Sequence, residues 1–498
     1  MSKHFRSCSL DQPFLLPPSL QDWLPEGHLA RFIADVTNEL DLSAIYAEYD
    51  RHDGRGLSAY HPLLLTRLLL YGYCTGMTSS RRIERATYDN VAFRFLAADQ
   101  HPDHDTIANF RQQHLAALAS LFVQALRLCQ KAGLVKLGTV AIDGTKILAN
   151  ASTRRSLPYS RICERELYWK ETVDRLLQEA QRTDQHENDS RTQAGDALPR
   201  ELADAQSRLQ KLRKAKAQLE QEAQQKLDAL QRAAGSRKRG RPLKGNASTA
   251  STAAQNKAAK QLRRARRNAA QPTRQHNFVD PDSRVMRDNA RKCFVQAYNA
   301  QVAADSHAQV IVAAEITQDT TDRHQLLPMF RAVTASTGAV PETIVADAGY
   351  WDSASLQDSL LTATETLVSP DAQPYLPDAP RPEHSPNNTA AQTMRERLAS
   401  PSGQARYRLR KQTVEPVLGQ IKEARGIRRF RLRGFQQVSG EWKLICATHN
   451  LLKLFRYRKP APSSTNPGGF TSLIASFVLF LSLDYFRRIA NQSRRFAE

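Results

Sequence analysis

Apolar positions recur at helical spacing through the first 135 residues. Leu29, Phe32, Ile33, Val36 and Leu40 make one stripe, and Leu63, Leu64, Leu65, Leu68 and Leu69 another, which predicts α-helices. Thr78-Ser79-Ser80 ahead of Arg81-Arg82-Ile83-Glu84 has the form of an N-capped helix start, and Asp103-His104-Asp105-Thr106 is a second. At Leu137 the pattern changes to a run of apolar and β-branched residues, through Ile142, that ends in Asp143-Gly144. Thr343 to Ala346 repeats it and ends in Asp347. Continuous apolar runs of this kind are strands buried on both faces.

Between these strands, Ile162–Ala180 and Glu201–Ala234 are long, charged and helical in composition, with Leu209, Leu212, Leu219, Leu227 and Leu230 as a partial stripe. They predict an antiparallel helical hairpin or short coiled coil, with the polar stretch Thr183–Ala197 as its turn. A basic segment, Ser236–Arg274, is expected to be solvated. Strand pattern returns at Phe294–Ala304 and Gln309–Thr317, a helix is predicted over Gln325–Val333, another over about Ser353–Leu361, and a fifth strand over Glu365–Val368. A loose Pro/Ser/Asn segment, Ser369–Gly403, leads to a helical block, Gln404–Tyr457.

Three strands, helix, strand, helix, strand, helix is the order of an RNase H-like α/β fold: a mixed five-stranded sheet with helices. Here it carries an α-helical N-terminal domain and a long helical insertion after the first core strand. The expected divisions are 1–135 (helical, DNA-binding), 136–155 (first part of the core), 156–290 (coiled and basic insertion), 291–459 (rest of the core) and 460–498 (linker and apolar tail). A chain of 498 residues allows two to four domains.

Charge narrows the partner. Lys and Arg number 71 against 50 Asp and Glu, a formal net charge of +21 that favours a polyanion. Short helices with basic first turns suit a helix-turn-helix-like DNA reader or, equally, a plain bundle. Arg237-Lys-Arg239-Gly240-Arg241-Pro242 resembles an AT-hook, whose arginines enter a narrow minor groove; the alternative is a nonspecific phosphate-binding tail. The six cysteines lie far apart without a CxxC pair, which argues against a zinc ribbon and a disulfide framework and fits reduced thiols in a cytosolic protein. The N-terminus lacks a signal-peptide core. Phe470–Phe486 is apolar but interrupted by polar residues and short of the ~20 residues of a membrane span, so no membrane partner is expected.

Candidate chemistry rests on the two strand-end aspartates. Phosphodiester hydrolysis or transfer needs an activated oxygen and a stabilised leaving oxygen, which two hard divalent ions, Mg²⁺ or Mn²⁺, supply when carboxylates hold them. Asp143 and Asp347 are two such acids, and the helical block offers a third in Glu415, with Glu423 as the alternative. Lys422 lies two turns beyond Glu415 on one face of a regular helix, suited to phosphate. Pro416 would kink that helix or start it. Arg428, Arg429 and their neighbours are expected to clamp substrate phosphates, with Phe430 as an anchor or a stacking surface. Lys146 either touches phosphate or is a strand-edge lysine; Asp322 is expected to cap the helix that follows it, with His324 a possible helper at the metals. No Walker loop, GxSxG elbow or Rossmann fingerprint is present.

These residues resemble bacterial insertion-sequence transposases of the DDE class with an InsH-type N-terminal domain. The resemblance covers about Phe14–Leu454 and rests on Ala141-Ile-Asp143-Gly-Thr-Lys146, Asp280–Met286, Tyr298-Asn-Ala-Gln301, Ala346-Asp347-Ala-Gly-Tyr350 and the Glu415/Lys422 pair. It carries the Tyr-Arg-Glu-Lys signature onto Tyr407, Arg410, Glu415 and Lys422; a three-residue gap before the glutamate would instead put the basic residue at Lys411. It implies double-stranded DNA as partner, in the form of terminal inverted repeats and target DNA, two metal ions, and a homodimer or larger assembly on DNA. A nuclease that does not transpose and a noncatalytic DNA-architectural protein are the alternatives.

Overall fold

The computed structural model describes residues 19–49, 59–189, 200–236, 250–270, 272–288, 292–361, 363–371 and 389–457. The AT-hook-like arginines Arg239 and Arg241 and the apolar tail after Pro460 lie outside them.

Seven helices form the N-terminal part: α1 (Leu29–Glu39), α2 (Ser43–Tyr49), α3 (Pro62–Cys74), α4 (Ser80–Asp89), α5 (Val91–Leu96), α6 (His104–Gln113) and α7 (Leu115–Lys131). Asp103 accepts from the Thr106 N–H at 2.5 Å and so caps α6 as its sequence predicts. At α4, Ser79 holds the cap position with no side-chain bond.

β1 (Thr139–Leu148) enters the sheet next. A small ribbon of β2 (Ser156–Pro158) and β3 (Gln275–Asn277) brackets the insertion, which consists of α8 (Tyr159–Asp189), α9 (Arg200–Ser236) and α10 (Ala250–Ala270). Helix α8 lies along α9 as the predicted hairpin, burying Ile162, Val173, Leu209, Leu212 and Leu219. Helix α10 gives part of the basic stretch a regular form, with Arg263, Arg264, Arg266 and Arg267 exposed as a solvated segment requires. Its alanines have high helix propensity, and it packs on α9.

The sheet continues with β4 (Arg284–Asp288), β5 (Cys293–Asp305), β6 (Ile311–Thr317), β7 (Thr343–Ala346) and β8 (Glu365–Val368). β5 is antiparallel to β1; β7 is parallel to β1 and β8 to β7. On the outer edge of β5, β6 pairs with residues 299–304 and β4 with residues 293–297. The strand order across the middle is therefore β6-β5-β1-β7-β8, with β4 added end to end with β6. β4 falls inside the stretch assigned to the insertion, where alternation over five residues was too short to detect.

Helix α11 (Leu326–Thr337) covers one sheet face through Leu326, Met329, Phe330 and Val333, against Ile142, Val312 and Ile344. After it come α12 (Ser353–Leu356) and a 3₁₀ turn (Ser359–Leu361), where the sequence predicts one helix. The other face is covered by α14 (Pro401–Gly419) and α15 (Phe435–Tyr457), whose Trp442, Ile445 and Leu451 share one continuous core with Ala141, Val302 and Val345 and with the N-terminal helices. Helix α13 (Thr389–Ala399) forms within the stretch expected to be loose, because Ala391 and Met394 bury one side of it. Among the described residues no helix is long and apolar enough to cross a membrane, and five cysteines are free thiols.

Candidate active site

Along β1 the side chains alternate. Asp143, Thr145 and Ile147 face α14 and α15, whereas Gly144 and Lys146 face the opposite side. β7 runs beside β1 only as far as the Ile142–Ala346 pair. Asp347 therefore leaves the sheet at the level of Asp143, and the two carboxylates become neighbours.

The chain on either side fixes both acids. Gly144 N–H donates to Asp143 Oδ1 at 2.8 Å. Asp347 Oδ1 accepts from Gly349 N–H at 2.9 Å and so caps the 3₁₀ turn Ala348–Tyr350. Burial pushes Asp143 up to about 7, and the negative charge of Asp347 acts in the same direction. Burial also raises Asp347, with Arg410 opposing. Arg410 stands on α14 with a guanidinium nitrogen 4.0 Å from Asp143 Oδ2, its Cζ 6.0 Å from the Tyr407 ring centre, and its own Nε buried without a partner. Four of the expected residues thus meet: Asp143, Asp347, Tyr407 and Arg410.

Lys422 joins them from one side. Its Nζ donates to Thr145 Oγ1 at 2.9 Å, on the same strand face as Asp143. Further along, Leu148 forms a β-bridge with Arg429, Leu148 N–H donates to Arg428 O at 3.1 Å, and Phe430 N–H donates to Leu148 O at 2.9 Å. The basic segment resumes the edge of β1 that β7 abandons. Phe430 is fully buried, edge-on to Tyr298 and Trp442, and is an anchor rather than a stacking surface.

Lys411 and Glu415 are exposed. Glu415 follows Arg410 by five residues, about 140° round a regular helix. The face turned inward with Arg410 carries the buried Val414 and Val417. Among the described residues no group of three or more His, Cys, Asp or Glu is arranged to hold a metal ion. Glu423 is also exposed and pairs with Arg428. Pro416 lies inside α14 without ending it; the Gln412 carbonyl, which the missing N–H cannot reach, accepts from Gln309 Nε2 at 2.9 Å. A π-turn, Gln420–Ala424, follows and shifts Lys422 from the register of a regular helix.

Asp322 does not cap α11, whose N-cap is Gln325 without a side-chain bond. Its Oδ1 instead accepts from Asn299 Nδ2 at 2.6 Å and Gln301 Nε2 at 2.7 Å, with Lys146 Nζ at 3.7 Å. Tyr350 OH donates to Gln301 Oε1, which ties the turn after Asp347 into the same network. Gly144 makes room for it: a Cβ there would fall 2.6 Å from Asp322 Oδ1. Asn299 and Gln301 enter the sequence only as part of the Tyr298-Asn-Ala-Gln301 motif, without a contact assigned to them; the further signal is that they are polar residues in a strand that is otherwise buried. His324 is exposed and nearest to Asp352, away from the two acids.

The donor chemistry suits a hard divalent ion. Asp143 and Asp347 offer carboxylate oxygens side by side, held against their mutual repulsion with one guanidinium nearby.

Residues 18–113 match the family model described as a transposase domain (DUF772), and residues 381–455 match the one described as a transposase DDE domain. The second match includes Tyr407, Arg410, Glu415, Lys422 and the basic segment that pairs with β1. Both matched domains, one toward each end of the chain, are transposase domains, and the pair is consistent with a DDE transposase of insertion-sequence type. No curated protein and no solved structure matches the chain.

Proposed function

We propose that this chain is a transposase that cuts DNA at the terminal inverted repeats of a mobile element and transfers the freed strand ends to target DNA, on an RNase H-like core. The order β6-β5-β1-β7-β8, in which only β5 runs against the other four, supports that core. The single observation that carries the function is the juxtaposition of Asp143, midway along β1, and Asp347, at the end of the adjacent β7, beside Arg410.

Asp143 and Asp347 would hold the divalent ions, Mg²⁺ or Mn²⁺, with Glu415 as the third acid of the signature. When bound, such ions activate an oxygen nucleophile and stabilise the leaving oxygen of an in-line displacement. The protein's own part is positional. Arg410 orients a phosphate against the two acids, and Lys422 fixes the next phosphate along β1 from its place at Thr145. Tyr407 positions the scissile strand. Arg428 and Arg429 hold the backbone where it leaves the site, and Arg239 and Arg241 add minor-groove or phosphate contacts. The N-terminal helices read the repeats. The α8–α10 insertion helps to join two copies on two DNA ends.

Incubation of the full chain with Mg²⁺ or Mn²⁺ and end-labelled DNA carrying the element's ends should give site-specific nicks and strand-transfer products, both lost in Glu415→Gln. Nicks without transfer would identify a nuclease instead. Cleavage undiminished in Glu415→Gln would remove Glu415 from the site.

A further inference from the structure

At the C-terminal end of β1 a cavity of ≈ 540 Å³ opens between the strand end, the β4–β5 hairpin and the basic segment that bridges Leu148. Three arginines line it, Arg155, Arg429 and Arg433, and no acid does. Arg433 is oriented by its Nε donating to the Asn150 carbonyl at 2.9 Å. The wall on the hairpin side is Phe294, which is 70% exposed, the largest exposure among the described large hydrophobic residues. Asn150 and Ser152 add polar groups to the lining.

We propose that this cavity receives an unpaired nucleobase of the DNA strand being processed, stacked on Phe294, with its flanking phosphates held by Arg155, Arg429 and Arg433. The inference deepens the transposase reading above and rests on it. Paired bases in a duplex meet edge to edge and have their flat faces covered by the bases stacked above and below, whereas a base out of its stack offers a face to an aromatic ring. A purely electrostatic tail would need the arginines but no ring. An apolar protein partner would not favour a lining with three cations. Position supports the choice. Leu148 lies five residues beyond Asp143, about 16 Å along the strand, or about five stacked nucleotides. Lys422 and Arg429 mark the path between, at Thr145 and Leu148.

The test compares the full chain and its Phe294→Ala and Phe294→Trp variants on two DNAs. One is a blunt duplex carrying the element's end; the other is the same duplex with a short single-stranded extension containing 2-aminopurine. Phe294 is exposed, so both variants should fold, with unchanged thermal melts. The expected result is quenched 2-aminopurine fluorescence in the wild type and about tenfold weaker binding of the extended DNA by Phe294→Ala. Blunt-duplex affinity should not change, and Phe294→Trp should restore binding. Arg429→Gln or Arg433→Gln should weaken both DNAs and reduce the salt slope by about 1 each. Equal loss on both DNAs, or no loss on either, in Phe294→Ala overturns the pocket while leaving the transposase intact. A wild type that binds neither DNA overturns both.

Discussion

Two groups of buried charge in this protein contrast with each other. Around Glu441 in α15 the carboxylate is answered: it accepts from the N–H groups of Arg431 and Leu432, both at 2.9 Å, and from Tyr73 OH at 3.0 Å. Arg111 lies behind, donating to Tyr73 OH at 3.2 Å and to the Thr78 carbonyl at 2.8 Å. This knot ties α3 and α6 to α15, and every partner comes from the protein. In the middle of β1 and just past the end of β7, Asp143 and Asp347 repel each other, and Arg410, at 4.0 Å, is a loose counterweight. A charge fully met by protein donors holds the fold together. One left short of positive charge at a rigid strand end keeps capacity for a ligand, at some cost to the fold.

The largest expected difference between the two is in activity. Asp143→Asn should lower DNA cleavage at least about a thousandfold, since it removes a charge the transition state needs, yet leave the melting temperature unchanged or raised. A nicking assay beside a thermal melt measures both, and a large drop in melting temperature would erase the contrast.

Next in size is the converse change. Glu441→Ala strands a buried arginine and several donors and should cost about 3–5 kcal/mol of stability, read from denaturant unfolding. Loss below about 1 kcal/mol would mean that the knot does not hold the two halves together.

The smallest effect is in pH. Asp143 titrates near 7 in the fold against 3.8 ordinarily, so the folded state binds its proton more tightly. The metal-free protein should therefore lose stability as pH rises from about 4 to about 7 and level off above. Asp143→Asn should flatten that part of the curve, as should a divalent cation. Parallel curves for wild type and variant would show that Asp143 is not strained in solution.

How far the chain could be read from its letters varied with the kind of signal. β7 and the first half of β1 were legible because burial on both faces leaves an unbroken apolar, β-branched run; β1 does not end at Asp143 as its pattern suggests but continues to Leu148, paired with β5. The α8–α9 hairpin was legible from its leucine stripe. Helices α10 and α13 were not: arginine-rich and Thr/Arg/Glu-mixed stretches carry weak periodicity, and α13 depends on two buried residues, Ala391 and Met394. At the site, the choice between Arg410 and Lys411 as the residue beside the acids could not be made from spacing, because it depends on the rotation of α14 against the sheet. Val414 and Val417 set that rotation by burying themselves, which carries Arg410 inward and leaves Lys411 and Glu415 exposed.

By itself the sequence determined the buried strands, the acids they carry and the basic character of the segments rich in arginine, since burial and charge are written in local residue types. Only the tertiary structure decided which groups meet. It brought Asp347 beside Asp143 by ending β7 at Ala346, and it laid Arg429 along Leu148 more than 280 positions away. It also turned Asp322 from a cap into the acceptor for Asn299 and Gln301. Such meetings depend on strand register and helix rotation, which packing of the whole core sets and no short stretch of chain encodes.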